Sequence, residues 1–320
     1  MLLKIKNLST HYFVNEGILK AVDNVNMTIA EEELIGLVGE TACGKSTLAY
    51  SILRLVSDPG KIVRGEIIYK GTNLLELSEE EMNNIRGKEI SMIFQSPQSF
   101  LNPKFTIEDQ IGSILELHQK KKRASLRKEI CEHLKMVDLP DPENLLGKHS
   151  YELSGGMAQR TMIVMALSCR PSLLIADEPT TSLDVTTQAQ ILKLLRNLQK
   201  EIGLSALYIT HNLGVVAEIC DKMNIMYAGE IIESGDVSSI FQKPRHPYTE
   251  KLIESVPKLD SNVKKFTTIP GNVPDLIRDA PGCKFYPRCE FRQEICSQEK
   301  PELTEIEKGH FVACLDPLNG

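Results

Sequence analysis

Apolar positions along this chain fall into three kinds of run. Leu34-Ile35-Gly36-Leu37-Val38, Leu173-Leu174-Ile175-Ala176 and Leu207-Tyr208-Ile209-Thr210 are nearly continuous, as in strands buried on both faces. Near the N-terminus the pattern alternates instead, at Leu3-Lys4-Ile5-Lys6 and over residues 22–29 around Val25, Met27 and Ile29. That alternation predicts short, half-buried strands over residues 1–30. Helical spacing takes over at Leu48, Ile52, Leu53 and Leu55, and at Ile163, Val164, Ala166 and Leu167. It recurs over residues 188–201, where Ile191, Leu194, Leu195 and Leu198 share one face. Residues 78–90 and 106–137 combine charge with helical periodicity and predict a mostly helical insertion. Strands alternating with helices predict an α/β domain with a mainly parallel sheet.

Past residue 240 the pattern dissolves. Prolines recur at Pro244, Pro247, Pro257, Pro270, Pro274, Pro281 and Pro287. The tail therefore reads as a small, irregular, Cys-rich domain held by something other than a large apolar core. The 320 residues are 42% hydrophobic and 25% charged, which suits a globular protein of two compact units. A net charge of −6 gives no general pull toward nucleic acid or anionic lipid. The run Lys120-Lys121-Lys122-Arg123 reads as a solvated helix end. No apolar stretch approaches the roughly 20 residues that span a bilayer. The N-terminus lacks the layout of a signal peptide. A cytoplasmic chain is expected, with any membrane role coming from bound integral subunits.

The chemistry is concentrated in three segments. Gly39-Glu40-Thr41-Ala42-Cys43-Gly44-Lys45-Ser46 fits the phosphate-loop pattern G-x-x-x-x-G-K-[ST], between a buried strand and a helix. Its backbone N–H groups would converge on phosphate oxygens at a helix N-terminus. Lys45 would reach the β- and γ-phosphates, Ser46 would ligate Mg²⁺, and Thr47 would follow inside the same turn. Asp177-Glu178 closes an apolar strand. Asp177 would hold Mg²⁺ through water, and Glu178 would act as general base on the attacking water. Leu153-Ser154-Gly155-Gly156-Met157 opens a helix and offers a second anion-binding terminus.

In this order the motifs resemble those of the ATP-binding-cassette ATPases, across residues 1–240. The resemblance implies a phosphate-loop ATPase core of mixed sheet plus helical subdomain, the latter at about residues 97–160. It implies that Ser154, Gly155 and Gly156 cap the γ-phosphate held by the other half of a head-to-tail dimer. Gln95, in Ile93-Phe94-Gln95-Ser96-Pro97, matches the loop that senses Mg²⁺ and touches the transmembrane partner. Asp184, in Ser182-Leu183-Asp184, matches the dimer seam. His211 matches the switch histidine at the γ-phosphate, and Tyr12 the aromatic that stacks on adenine, with Phe13 as neighbouring alternative. Two positions depart from the family. Thr41-Ala42-Cys43 replaces the usual loop interior, so that Cys43 beside the phosphates would confer sensitivity to thiol reagents. Met157 replaces a common glutamine.

Leu101-Asn102-Pro103, His246-Pro247-Tyr248-Thr249 and the tail from Cys283 to Cys314 resemble the dipeptide and oligopeptide importer ATPases, specifically the D-type subunit. The tail cysteines Cys283, Cys289, Cys296 and Cys314 leave gaps of five, six and seventeen residues. Four thiolates suit zinc or an iron–sulfur cluster, and the family extension (residues 241–320) implies a 4Fe–4S cluster. Arg288 and Lys284 would offset its charge, and His310 reads as a surface residue. The implied cofactors are thus ATP, Mg²⁺ and the cluster, with Zn²⁺ as alternative. The implied partners are a second, related ATPase subunit, two permeases and, indirectly, an extracellular or periplasmic peptide receptor. Nucleic acid is not among them. The expected place is the inner face of the cell membrane. Nickel or a sugar oligomer would be the alternative cargo, and a non-transport cassette ATPase the more distant reading.

Overall fold

The computed structural model describes residues 1–121, 123–181, 183–256, 269–277 and 280–318. Lys122, Ser182 and Pro257, singled out above, lie outside the described residues. The chain begins with β1 (Leu3–Val14), β2 (Gly17–Ile29), β3 (Leu34–Val38), α1 (Lys45–Ile52), β4 (Gly60–Tyr69) and β5 (Thr72–Asn73). It continues through α2 (Glu79–Ile85), β6 (Ile90–Ile93), α3 (Pro97–Phe100), α4 (Ile107–Gln119), α5 (Arg127–Met136), α6 (Pro142–Leu145) and α7 (Gly155–Leu167). Next come β7 (Leu173–Asp177), α8 (Val185–Ile202), β8 (Ser205–Thr210), α9 (Leu213–Ile219), β9 (Lys222–Tyr227) and β10 (Glu230–Asp236). The last elements are α10 (Val237–Gln242), α11 (Pro247–Glu254), β11 (Thr304–Glu307) and β12 (His310–Val312). Packing divides them into two units, residues 1–29, 33–75 and 208–320 in one and residues 30–32 and 76–207 in the other.

In the first unit β2-β1-β4-β5 form an antiparallel sheet. The alternation near the N-terminus predicts short strands, yet β1 and β2 run twelve and thirteen residues. Register shifts between Ile5 and Leu8, Leu8 and Thr10, and Thr10 and Tyr12 explain the difference. Each bulge flips the side-chain phase, so one long strand reads as short pieces. In the same unit β3 pairs in parallel with β9, and β9, β10, β12 and β11 continue antiparallel. Every residue of β3 is buried, as its continuous apolar run requires. Leu48 and Ile52 of α1 are buried, but the helix ends at Ile52 and Leu55 is exposed.

In the second unit β6 pairs in parallel with β7, from Ile90 opposite Leu173 to Ile93 opposite Ala176. Strand β6 is legible only in retrospect, because its four residues are interrupted by Ser91. The helical insertion is present. Capping boxes start α2 at Ser78 with Glu81 and α4 at Thr106 with Asp109, each satisfying backbone donors that the helix leaves unpaired. Helix α7 packs on α3, α4 and α5. Helix α8 buries Ile191, Leu194, Leu195 and Leu198, the face its spacing predicts.

The tail departs from the expectation of an irregular piece without a core. It is irregular over residues 269–277 and 280–303 apart from short turns, but β12 joins the first unit's sheet at β10. Phe285, Val312 and Ala313 are buried there. His310, expected at the surface, is buried, because β12 sets it against Glu233 of β10. Glu233 is fully buried and accepts from the backbone N–H of Arg245 and His246 as well as pairing with His310 Nε2 at 2.7 Å. A buried carboxylate is tolerated only with such a complete set of partners.

Candidate nucleotide site

The phosphate loop belongs wholly to the first unit, and local sterics explain its glycines. A side chain at Gly39 would strike the Met226 carbonyl, and one at Gly44 the Ala21 carbonyl. Gly44 also takes φ +107°, a conformation closed to L side chains. From there α1 begins, so its first N–H groups face the loop. Lys45 is buried, and its Nζ donates to the carbonyls of Gly39 (2.8 Å) and Glu40 (2.9 Å). The lysine is thereby folded over its own loop, at the position from which it can swing to phosphate oxygens. Thr41 and Ala42 are exposed at the tip, and Ser46 and Thr47 are half-buried in the first turn of α1.

Cys43 corrects the expected thiol sensitivity. Its side chain has no exposed surface, and burial pushes its thiol up from the ordinary value. A buried protonated thiol is a poor nucleophile. Tyr12 of β1 is half-buried beside Gly60, whereas Phe13 is exposed on the opposite side of the same strand. His211 is exposed in the turn between β8 and α9, where Asn212 caps α9 by accepting from Gly214 N–H.

The acidic residues lie in the second unit. Asp177 ends β7 and is buried. Glu178 follows at φ +45°, in the left-handed region that costs a non-glycine residue energy. Its Oε2 accepts from Gln95 Nε2 and from Thr181 Oγ1, both at 3.0 Å. Two residues separated by 83 positions, Gln95 and Glu178, are thus brought together. Ser154 caps α7 by accepting from Met157 N–H at 3.4 Å, and Ser154 and Gly155 are exposed. The serine is therefore free on its outer side for an anion at the helix N-terminus. Asp184 caps α8 through Thr187, and the Thr187 N–H holds its carboxyl below the ordinary value.

The same unit carries exposed aromatics after the Gln95 segment. Phe94 stacks on Phe100 with centroids 3.8 Å apart, and His149 stacks on Tyr151. Phe100, Phe105 and Tyr151 are about half exposed or more.

The four tail cysteines are free thiols, each partly buried. They lie within one another's fields, since burial first and then Cys283, Cys289 and Cys296 push the Cys314 thiol up to about 11. Cys283 likewise rises to about 11, chiefly through burial. Yet among the described residues no group of three or more His, Cys, Asp and Glu is arranged to hold a metal ion. The donor chemistry suits a metal group while the arrangement does not form a ligand set. The residues expected to offset a cluster's charge are also engaged elsewhere. Lys284 pairs with Asp23 and Glu230, and Arg288 with Glu40. Sequence reasoning missed these anchoring roles, for which the tail's isolated cations, flanked by aromatics, were the only signal.

Comparison with known proteins agrees with this geometry. Residues 22–181 match the family model described as ABC transporter, and residues 232–296 match the oligopeptide/dipeptide transporter, C-terminal region. A solved dimeric ATP-binding cassette in a post-hydrolysis state with ADP and Pi is 29% identical, with a TM-score of 0.66 over 73% of this chain and 98% of that one. The chain belongs to the ATP-binding-cassette transporter family and is an ATPase of that class. Within it, the chain falls in the oligopeptide/dipeptide importer branch. It is 46% identical to a probable peptide ABC transporter ATP-binding protein of Sinorhizobium fredii, over 98% of this chain and 94% of that one. It is 44% identical to a dipeptide transport ATP-binding protein of Bacillus subtilis, over 98% and 93%. Among the described residues no helix is long and apolar enough to cross a membrane.

Proposed function

We propose that this chain is the ATP-hydrolysing subunit of an importer of dipeptides or oligopeptides. The observation that carries this reading is the joint presence of a cassette ATPase core and a matching peptide-transporter C-terminal region in one chain. In this account Lys45 holds the β- and γ-phosphates, with Gly39, Glu40, Thr41, Ala42, Cys43, Gly44 and Thr47 forming the cradle. Ser46, Gln95 and Asp177 attend Mg²⁺, which supplies charge neutralisation when bound. Glu178 takes the proton of the attacking water, His211 contacts the γ-phosphate, and Tyr12 stacks on adenine. Ser154, Gly155, Gly156 and Asp184 serve nucleotide held by a second ATPase subunit, a related chain rather than a copy. Domain organisation follows as a cassette over residues 1–240, with its helical subdomain near 97–160, and an extension over 241–320.

Gln95 and the exposed aromatics Phe100, Phe105 and Tyr151 face two membrane permeases, which receive peptide from an external receptor. The subunit is then peripheral on the cytoplasmic side. The tail thiols Cys283, Cys289, Cys296 and Cys314 are assigned in the same reading to a 4Fe–4S site on the family resemblance of the C-terminal region, since as placed they form no ligand set. Anaerobic purification tests that part directly: iron and sulfide near about four each per chain are expected, and one zinc per chain would replace the assignment. Cargo is tested by uptake of labelled dipeptide in cells carrying wild type or Lys45→Ala. Uptake should require Lys45 and be competed by peptides. Competition by nickel or a sugar oligomer, but not by peptide, would overturn it.

A further inference from the structure

Glu40 is an awkward residue for its place. A carboxylate in the phosphate loop faces the charge of the polyphosphate that the loop is built to hold, and like charges repel. The tail answers it. Arg288 donates to both carboxylate oxygens of Glu40, through Nη1 at 2.7 Å and Nη2 at 3.1 Å. The side chain of Arg288 is itself more than nine-tenths buried and is fixed from behind. Nε donates to the Pro270 carbonyl at 2.9 Å, Nη2 to the Ile269 carbonyl at 3.2 Å, and the guanidinium lies near the Tyr227 ring. The backbone of Glu40 is held too, since its N–H donates to Tyr248 Oη at 3.0 Å. Tyr248 is fully buried within a cluster with Tyr227, Phe285 and His246. The Glu40 carbonyl is one of the two that hold Lys45. One residue of the loop is thus fixed at its carboxylate, its N–H and its carbonyl, two of the three by side chains from beyond residue 240.

We propose that Arg288 and Tyr248 are positioning residues for ATP binding, by which the C-terminal extension neutralises and orients Glu40 of the phosphate loop. The bidentate fork suits arginine and no other side chain. Arg288 touches no nucleotide in this account; it acts through Glu40. Without it, the loop would present an uncompensated carboxylate to the phosphates. The proposal rests on the phosphate-loop reading of residues 39–46, so a control must separate the two.

The test is the dissociation constant of Mg·ATP for the full chain, with folding checked by thermal melting. Arg288→Met should weaken binding about tenfold, the scale of one unpaired charge at partly screened distance. Adding Glu40→Gln should restore it to within about threefold. Repacking damage would give the opposite, because a second substitution does not mend a disrupted loop. Glu40→Gln alone should tighten ATP binding by about threefold or more, because it removes the loop's carboxylate and leaves the Arg288 charge in place, which keeps the test decisive if Arg288→Met does not fold. Tyr248→Phe should weaken binding while leaving the aromatic cluster in place. Unchanged affinity in Arg288→Met or in Tyr248→Phe, a double variant as weak as the single one, or unchanged or weaker binding in Glu40→Gln overturns the proposal. Lys45→Ala is the control. If it too binds ATP normally, the loop reading itself fails; if it loses binding while Arg288→Met does not, only the role of the extension is lost.

Discussion

At the residue scale, two side chains show how far a motif can be read without its surroundings. Glu178 is legible in sequence as an acid at the end of an apolar run, and in the fold it sits at positive φ with Gln95 and Thr181 on its carboxylate. Cys43 is the opposite case. Its position beside the expected phosphates suggests a reactive thiol, but reactivity depends on exposure and ionisation, and neither is encoded in spacing. With Cys43 wholly buried and its thiol raised, an alkylating reagent applied to native protein should leave it unmodified. Peptide mass spectrometry should find label at Cys43 only after denaturation; rapid native labelling would contradict the buried geometry.

At the element scale, the fold was legible wherever a strand or helix carried an uninterrupted period. Strands β3, β7 and β8 and helix α8 are such cases. Bulges hid the length of β1, Ser91 hid β6, and the place of β12 in the sheet was hidden because its partner β10 lies far away in sequence. The start of α11 also belongs to long-range packing. His246 caps this helix, its Nδ1 accepting from Tyr248 N–H at 3.0 Å, so the imidazole must be neutral there. Burial drops its pKa to about 4, with Glu233 opposing. An unfolded histidine takes a proton near pH 6.5, whereas this one refuses it until about pH 4. Stability is therefore intact above pH 6.5 and falls as the pH drops through that window, by up to about 3 kcal/mol. His246→Asn keeps a capping oxygen and removes the titration. Thermal melts from pH 7 to 4.5 should show a flatter acid loss in His246→Asn than in wild type; parallel curves would exclude this histidine as the cause.

At the scale of the whole molecule, the two units carry different parts of the chemistry. The phosphate loop and His211 belong to one, and Gln95, Asp177, Glu178 and the Ser154 turn to the other. The motif order was readable from sequence because each motif is local. The anchoring of the tail was not, because Arg288 and Glu40 are 248 residues apart and meet only after folding. Since the exposed Ser154-Gly155 turn has no nucleotide of its own chain to serve in this account, the isolated subunit should hydrolyse ATP slowly. Adding the related second subunit and the permeases should raise the rate about tenfold or more, as expected when a missing set of electrostatic contacts is supplied. A rate equal in isolation and in the assembly would mean that the chain is a complete enzyme by itself.

The most direct measurement is ATP hydrolysis by the assembled importer in liposomes, with peptide-loaded receptor present, for wild type and Glu178→Gln. Losing a general base lowers turnover by about a hundredfold or more. The account predicts that Glu178→Gln binds ATP as tightly as wild type, yet loses both hydrolysis and peptide uptake on that scale. Wild-type rates of hydrolysis and uptake in the variant would contradict it.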